Sequence, residues 1–249
     1  MLRIIWLAAL LGCTSAVDAY AVQVNIAVAA NFTDAAKDIA AAFKENSGDD
    51  ALLSFGASGA FYTQIAQGAP FDVMLSADDE RPRKLIEDGL ATGPSRFTYA
   101  IGKLVLWSRD PALVKDETTL KSGRFTKLSI AAPSAAPYGA AAVETLKALN
   151  LYEAVAAKIV QGNSIAQAYQ FIDTGNAELG FVALSQLANT TAGSRWMVPQ
   201  SLYSVIRQDA VLLKHGAAND AAIRFLAFLH GPEARAIITR YGYGIAGQN

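Results

Sequence analysis

The chain has 249 residues, 52% of them hydrophobic and only 17% charged, with 21 Lys and Arg against 22 Asp and Glu for a formal net charge of −1. That balance excludes broad electrostatic binding to nucleic acid or anionic lipid, which needs a basic footprint, and the composition is too apolar for a disordered chain. A lone cysteine, Cys13, excludes a disulfide framework; with only His215 and His230 beside it, a Cys/His zinc site is not expected.

Residues 1–21 read as a secretory signal peptide. Met1-Leu2-Arg3 gives a basic start, 4–11 is an apolar run, and Ala19-Tyr20-Ala21 offers small residues to a signal peptidase. The run is too short to span a bilayer, which takes roughly 20 residues. A buried N-terminal helix fits Asp18 and the A-x-A pattern poorly. A rival cleavage is also written here: Leu10-Leu11-Gly12-Cys13 loosely resembles a lipobox, which would leave Cys13 lipidated. Cleavage after Ala21 leaves a mature chain without cysteine, exported and independent of redox state.

In the mature chain, apolar strands alternate with amphipathic helices. The pattern predicts strands at 24–29, 52–55, 71–75, 104–107, 128–131 and 179–182. A helix opening at Asn31 carries Phe32, Ala35, Ala36, Ile39, Ala40 and Phe43 on one face, following the 3.6-residue period. Further helices are expected at 59–67, near Pro82 behind the acidic cluster Asp78-Asp79-Glu80, and at 139–149, 165–174, 220–229 and 233–241. Such alternation implies an α/β protein with largely parallel sheets. Neither repeats nor composition fix a domain boundary.

Several strands end in a small-residue turn that opens a helix: Ala29-Ala30-Asn31, Gly56-Ala57-Ser58-Gly59, Ala135-Ala136-Pro137-Tyr138 and Gly162-Asn163-Ser164 before Ile165. In open α/β sheets such turns face the ligand crevice. The first N–H groups of a helix lack intrahelical partners and carry partial positive charge. Small residues let an oxyanion reach them, and Ser or Asn adds a donor. No Lys or Arg lies in these turns, so converging turns would bind an anion through neutral donors. Taken singly, each turn also reads as an ordinary helix cap.

Enzyme signals are mostly absent. The chain has no phosphate loop, G-x-G-x-x-G, G-x-S-x-G or H-E-x-x-H motif. His215 and His230 have no nucleophile motif and read as capping or surface residues. Asp78-Asp79-Glu80 reads as a solvated helix start rather than a metal or acid–base cluster. Trp107 and Trp196 read as packing residues, and Tyr241-Gly242-Tyr243-Gly244 as the docking of the tail.

The segments Val24-Asn25-Ile26-Ala27-Val28-Ala29-Ala30-Asn31-Phe32-Thr33, Ser54-Phe55-Gly56-Ala57-Ser58-Gly59 and Gln67-Gly68-Ala69-Pro70-Phe71-Asp72 carry a resemblance, joined by Leu75-Ser76-Ala77-Asp78, Pro137-Tyr138-Gly139, Leu179-Gly180-Phe181-Val182 and Arg240-Tyr241-Gly242. On these motifs the whole mature chain resembles the periplasmic molybdate-binding proteins of ABC importers. The resemblance implies an α/β, two-lobed type II periplasmic binding protein fold with a ligand cleft between the lobes. It places 22–100 and 208–249 in one lobe and 101–207 in the other, with crossings near 99–103 and 202–209. It implies that Asn31 binds the oxyanion through backbone N–H and side-chain amide, Ser58 through backbone N–H and hydroxyl, Tyr138 through backbone N–H and phenol, and Ile165 through backbone N–H. Some members carry a ligand-binding Tyr where this chain has Ala183, so Tyr138 is expected to supply that hydroxyl.

The expectation is an exported, monomeric, non-enzymatic binder of molybdate, and of tungstate, serving a membrane permease with its ATPase. It uses no cofactor and no bare metal cation, and its partners include no nucleic acid. A receptor for sulfate or phosphate, an enzyme on the same scaffold and a sensor domain are the alternatives.

Overall fold

The computed structural model describes residues 21–247; the leader up to Tyr20, with Cys13, lies outside the described residues. The first lobe opens with β1 (Gln23–Ala29), α1 (Thr33–Ser47), β2 (Asp50–Gly56), α2 (Ser58–Ala66), β3 (Val73–Leu75), α3 (Glu80–Glu87) and β4 (Phe97–Gly102). The second holds β5 (Leu104–Ser108), α4 (Thr118–Ser122), β6 (Leu128–Ala131), α5 (Pro137–Ala148), α6 (Tyr152–Val155), β7 (Ile159–Gly162), α7 (Ile165–Asp173), β8 (Leu179–Ala183) and β9 (Ser194–Met197). The chain then returns with β10 (Ile206–Leu212), α8 (Asp220–His230) and α9 (Pro232–Arg240).

Each lobe is built on a five-stranded sheet, in the orders β2-β1-β3-β10-β4 and β7-β6-β8-β5-β9. Sheet membership changes at Lys103 and again between Met197 and Ile206, so the expected lobe limits at 100/101 and 207/208 fall just inside β4 and β10. The sheets are mixed rather than purely parallel. In each, three strands pair in parallel, the fourth is reversed and the fifth runs antiparallel to it. The reversed strands, β10 and β5, are the first that the chain lays down after crossing between lobes. They arrive without the helical crossover that a parallel neighbour requires.

Both faces of each sheet are covered, which explains the short unbroken apolar runs. Along β1, Val24, Ile26 and Val28 enter a core shared with α1, α8 and α9, while Ala27 faces one shared with α2 and α3. Along β5, Leu104 and Leu106 face α5, and Val105 and Trp107 the opposite side. Trp107 is buried and stacks on Tyr169 at 5.0 Å. Phe32 is fully buried, edge-on to Tyr99 at 4.9 Å and Tyr243 at 5.3 Å; burying such a ring stabilises by about 1.5–3 kcal/mol. These contacts fix the turn after β1 against β4 and the C-terminal tail.

Four strands were not expected from the apolar pattern: β4, β7, β9 and β10. In β10, Arg207-Gln208-Asp209 interrupts the hydrophobic run, yet Gln208 and Asp209 are both buried. The helix expected to open at Asn31 begins with a 3₁₀ turn over Ala30–Phe32, and α1 follows from Thr33.

Candidate functional site

The four turns picked out in the sequence converge. Asn31, Ser58, Tyr138 and Ile165 line one small, tightly closed cavity between the lobes. Asn31 and Ser58 come from the first lobe, Tyr138 and Ile165 from the second. Its remaining lining is Ala, Gly and Pro, with no charged side chain.

The local caps explain why N–H groups remain to face this space. Helix N-caps favour Ser, Thr, Asp or Asn. Here the caps before the 3₁₀ turn, α2 and α5 are Ala29, Ala57 and Ala136, none with a side chain to accept. Asn31 and Ser58 are therefore not the caps; they lie inside the first turn. Among the described residues, the main-chain N–H groups of Asn31, Ser58, Tyr138 and Ile165 donate to no turn, cap or loop carbonyl. Each is too close to its helix start to have an intrahelical acceptor. Before α7, Ser164 is a true cap and accepts from Gln167 N–H at 3.3 Å, which leaves the N–H of Ile165 free. A side chain at Gly139 would collide with the carbonyl of Ala131, so α5 can start this close to the end of β6 only with glycine there.

Side chains complete the wall. The Ser58 hydroxyl accepts from Ala77 N–H at 2.9 Å, which leaves its own proton free to donate. The Asn31 carboxamide donates to Gln208 Oε1 and to the Tyr243 hydroxyl, each at 2.9 Å. Both of its N–H bonds are thereby committed inside the protein, and its main-chain N–H is the donor left for the cavity. The Tyr138 phenol oxygen accepts from Gln208 Nε2 at 3.1 Å. Burial, followed by the neighbouring phenols of Tyr243, Tyr99 and Tyr203, pushes the Tyr138 hydroxyl well above the ordinary tyrosine range, so it stays a neutral donor.

The lobes touch on both flanks of the cavity. On one side Gly59 N–H donates to the Ala135 carbonyl at 3.0 Å. Arg81, paired with Asp78, donates to the Ser134 carbonyl at 2.8 Å. On the other side the Ser185 hydroxyl donates to the Asn31 carbonyl at 2.8 Å, and the Tyr243 hydroxyl lies 2.8 Å from both groups. The cleft is closed.

Comparison with known proteins agrees with this architecture. Residues 24–244 match the family described as bacterial extracellular solute-binding protein. The chain belongs to that family. Among curated relatives it is 55% identical to the molybdate-binding protein ModA of Rhodobacter capsulatus, across 92% of this chain and 90% of that protein. It is 53% identical to the molybdate-binding protein ModA of Azotobacter vinelandii, across 96% and 94%. Among solved structures, the Azotobacter vinelandii periplasmic molybdate-binding protein superposes with a TM-score of 0.86 at 40% identity, covering 89% of this chain and 99% of that one. As a solute-binding protein the chain has the expected two-lobed type II fold. Among the described residues, no helix is long and apolar enough to cross a membrane.

Within this solute-binding protein, sequence reasoning missed the layer behind the cavity wall. Gln208, Tyr99, Tyr243 and Ser185 hold the lining residues, yet they lie far from them in the chain. The available signal was weak: two consecutive buried polar residues, Gln208 and Asp209, in an otherwise apolar strand. The acidic segment proved to be a paired helix start. Asp78 accepts from the Arg81 N–H at 3.0 Å and also pairs with the Arg81 guanidinium.

Proposed function

We propose that this solute-binding protein captures molybdate, and tungstate with it, outside the cytoplasm and delivers it to an ABC importer. The observation that carries the reading is the closed cavity walled by neutral N–H and O–H donors from four separate turns, without a charged side chain. Converging helix starts stabilise a doubly negative tetrahedral guest, because each offers aligned dipoles and unpaired N–H groups. The close relatives are molybdate-binding proteins over nearly the whole chain. The cavity lining offers no carboxylate, histidine or thiol to serve as acid, base or nucleophile, which supports binding over turnover of the guest.

Asn31, Ser58, Tyr138 and Ile165 are the proposed contacts. The two lobes close about the paired crossings at Lys103 and between Met197 and Ile206. Closure requires that the closed form bind the anion better than the open form. A membrane permease with its ATPase then receives the closed, monomeric protein in the periplasm, where the leader directs it. Selectivity follows from fixed donors, which cannot all reach a smaller oxyanion at hydrogen-bond distance.

Calorimetric titration of the mature protein with molybdate, tungstate, sulfate and phosphate tests this. Saturable one-to-one binding of the first two, with the others far weaker, is the expected result. Equal affinity for sulfate or phosphate would overturn the assignment.

A further inference from the structure

Gln208 occupies the third position of β10, where the returning chain re-enters the first lobe, and it is fully buried. Its carboxamide touches both walls of the cavity. Oε1 accepts from Asn31 Nδ2 at 2.9 Å and lies 3.1 Å from the Tyr99 hydroxyl, while Nε2 donates to the Tyr138 hydroxyl at 3.1 Å. Asn31 and Tyr138 belong to opposite lobes.

This arrangement has a polarity. Asn31 Nδ2 can only donate, so it requires Oε1 and turns Nε2 toward the phenol. The phenol oxygen then accepts, and its own proton remains for a third group. Two further features build the pair into the fold. A side chain at Gly102 would collide with the Tyr138 hydroxyl and stand 2.8 Å from Gln208 Nε2. The β10–β4 register slips between Gln208 and Asp209, leaving Tyr99 as the extra residue of β4 with its hydroxyl beside Gln208. Bulges of this kind re-aim side chains near functional sites.

We propose that Gln208 is a positioning residue for oxyanion binding, whose carboxamide decides which atoms Asn31 and Tyr138 turn to the guest and so couples the two walls. The proposal rests on the oxyanion reading of the cavity given above.

The test is calorimetry with molybdate on the wild-type protein, Gln208→Leu, Gln208→Glu, Tyr138→Phe and the double variant Gln208→Leu/Tyr138→Phe. Each of Gln208→Leu and Tyr138→Phe weakens binding about ten-fold or more. The double variant is little weaker than the worse single, because the phenol contributes only when Gln208 aligns it. In Gln208→Glu the introduced carboxylate accepts the Tyr138 hydroxyl's hydrogen bond instead of donating to it, so the phenol proton is turned from the guest and affinity falls. It recovers as pH drops from about 9 to about 5 and the carboxyl, raised by burial and lowered by the Asn31 and Tyr99 donors, regains a proton to donate. Wild-type affinity stays level over that range.

The groups facing position 208 are the phenols of Tyr99 and Tyr138, with Tyr243 beyond Asn31. Burial raises all three above the ordinary range, so they remain neutral there. The adjacent Asp209 is turned to Arg96 and Thr98, and is common to wild type and variants. A double variant as weak as the product of the singles, or a pH-independent affinity in Gln208→Glu, overturns the proposal. If Gln208→Leu fails to fold, the pH profile of Gln208→Glu decides alone. A wild-type protein that ignores molybdate would overturn the oxyanion reading itself, and this proposal with it.

Discussion

Gly59 approaches Ala135 so closely that a Cβ at position 59 would stand 3.0 Å from the Ala135 Cα and 3.1 Å from its carbonyl oxygen. The two residues belong to different lobes, and the obstruction would meet main chain, which cannot step aside as a flexible side chain can. Gly59→Ala is expected to leave the unliganded melting temperature nearly unchanged while weakening molybdate binding about ten-fold, a loss near 1.4 kcal/mol. Titration and thermal melting of the same sample check both halves. Wild-type affinity in the variant would show that the lobes need not come this close.

Ser58→Ala removes a hydroxyl whose oxygen is already tied to Ala77 N–H and whose proton is free. Hydrogen bonds to a charged group are worth about 1.5–3 kcal/mol, so binding is expected to weaken roughly ten- to a hundred-fold. Affinities unchanged for every oxyanion would remove Ser58 from the site.

Arg81 reaches across one flank of the cavity to the Ser134 carbonyl while Asp78 holds its guanidinium. Arg81→Met keeps much of the stem and discards the clasp. Contacts formed only after closure act mainly on dissociation. Stopped-flow release of molybdate is therefore expected to quicken about three- to ten-fold, with association little altered. An unchanged release rate would show that Arg81 does not hold the lobes together.

Glu178 tests the acid side of stability, away from the cavity. Partial burial pushes its carboxyl up, but hydrogen bonds from the Thr126 hydroxyl and the N–H groups of Thr126 and Lys127 outweigh that and bring it down to about 2, against 4.5 ordinarily. A depressed carboxyl contributes stability above its unfolded value and loses it as pH falls toward the folded one. Glu178→Gln should be the less stable protein at neutral pH, by under about 1 kcal/mol at this exposed site. The gap should close between pH 4.5 and about 2. Denaturant melts across that range measure it, and a gap that widened in acid would contradict the assignment.

Much of the site was legible because its chemistry is local. A strand end, a small-residue turn and a helix start lie within a few residues of one another, and the turns at Asn31, Ser58, Tyr138 and Ile165 announce themselves singly. Their convergence comes from the two sheets, whose carboxyl ends face each other. The Asn31 carboxamide was the harder residue to read. Its commitment to Gln208 and Tyr243 depends on partners 177 and 212 positions away, beyond any periodicity. The same limit hid β10, whose buried Gln208 and Asp209 resemble solvent-facing residues until Tyr99, Thr98 and Arg96 are placed around them.

The absence of ionic groups from the cavity lining has a consequence for unloading. Amides and high-pKa phenols keep their protons across every physiological acidity, so a shift in the surrounding pH finds no lever there to eject the cargo. Release then falls to opening: parting the two halves carries away half of the donors at a stroke.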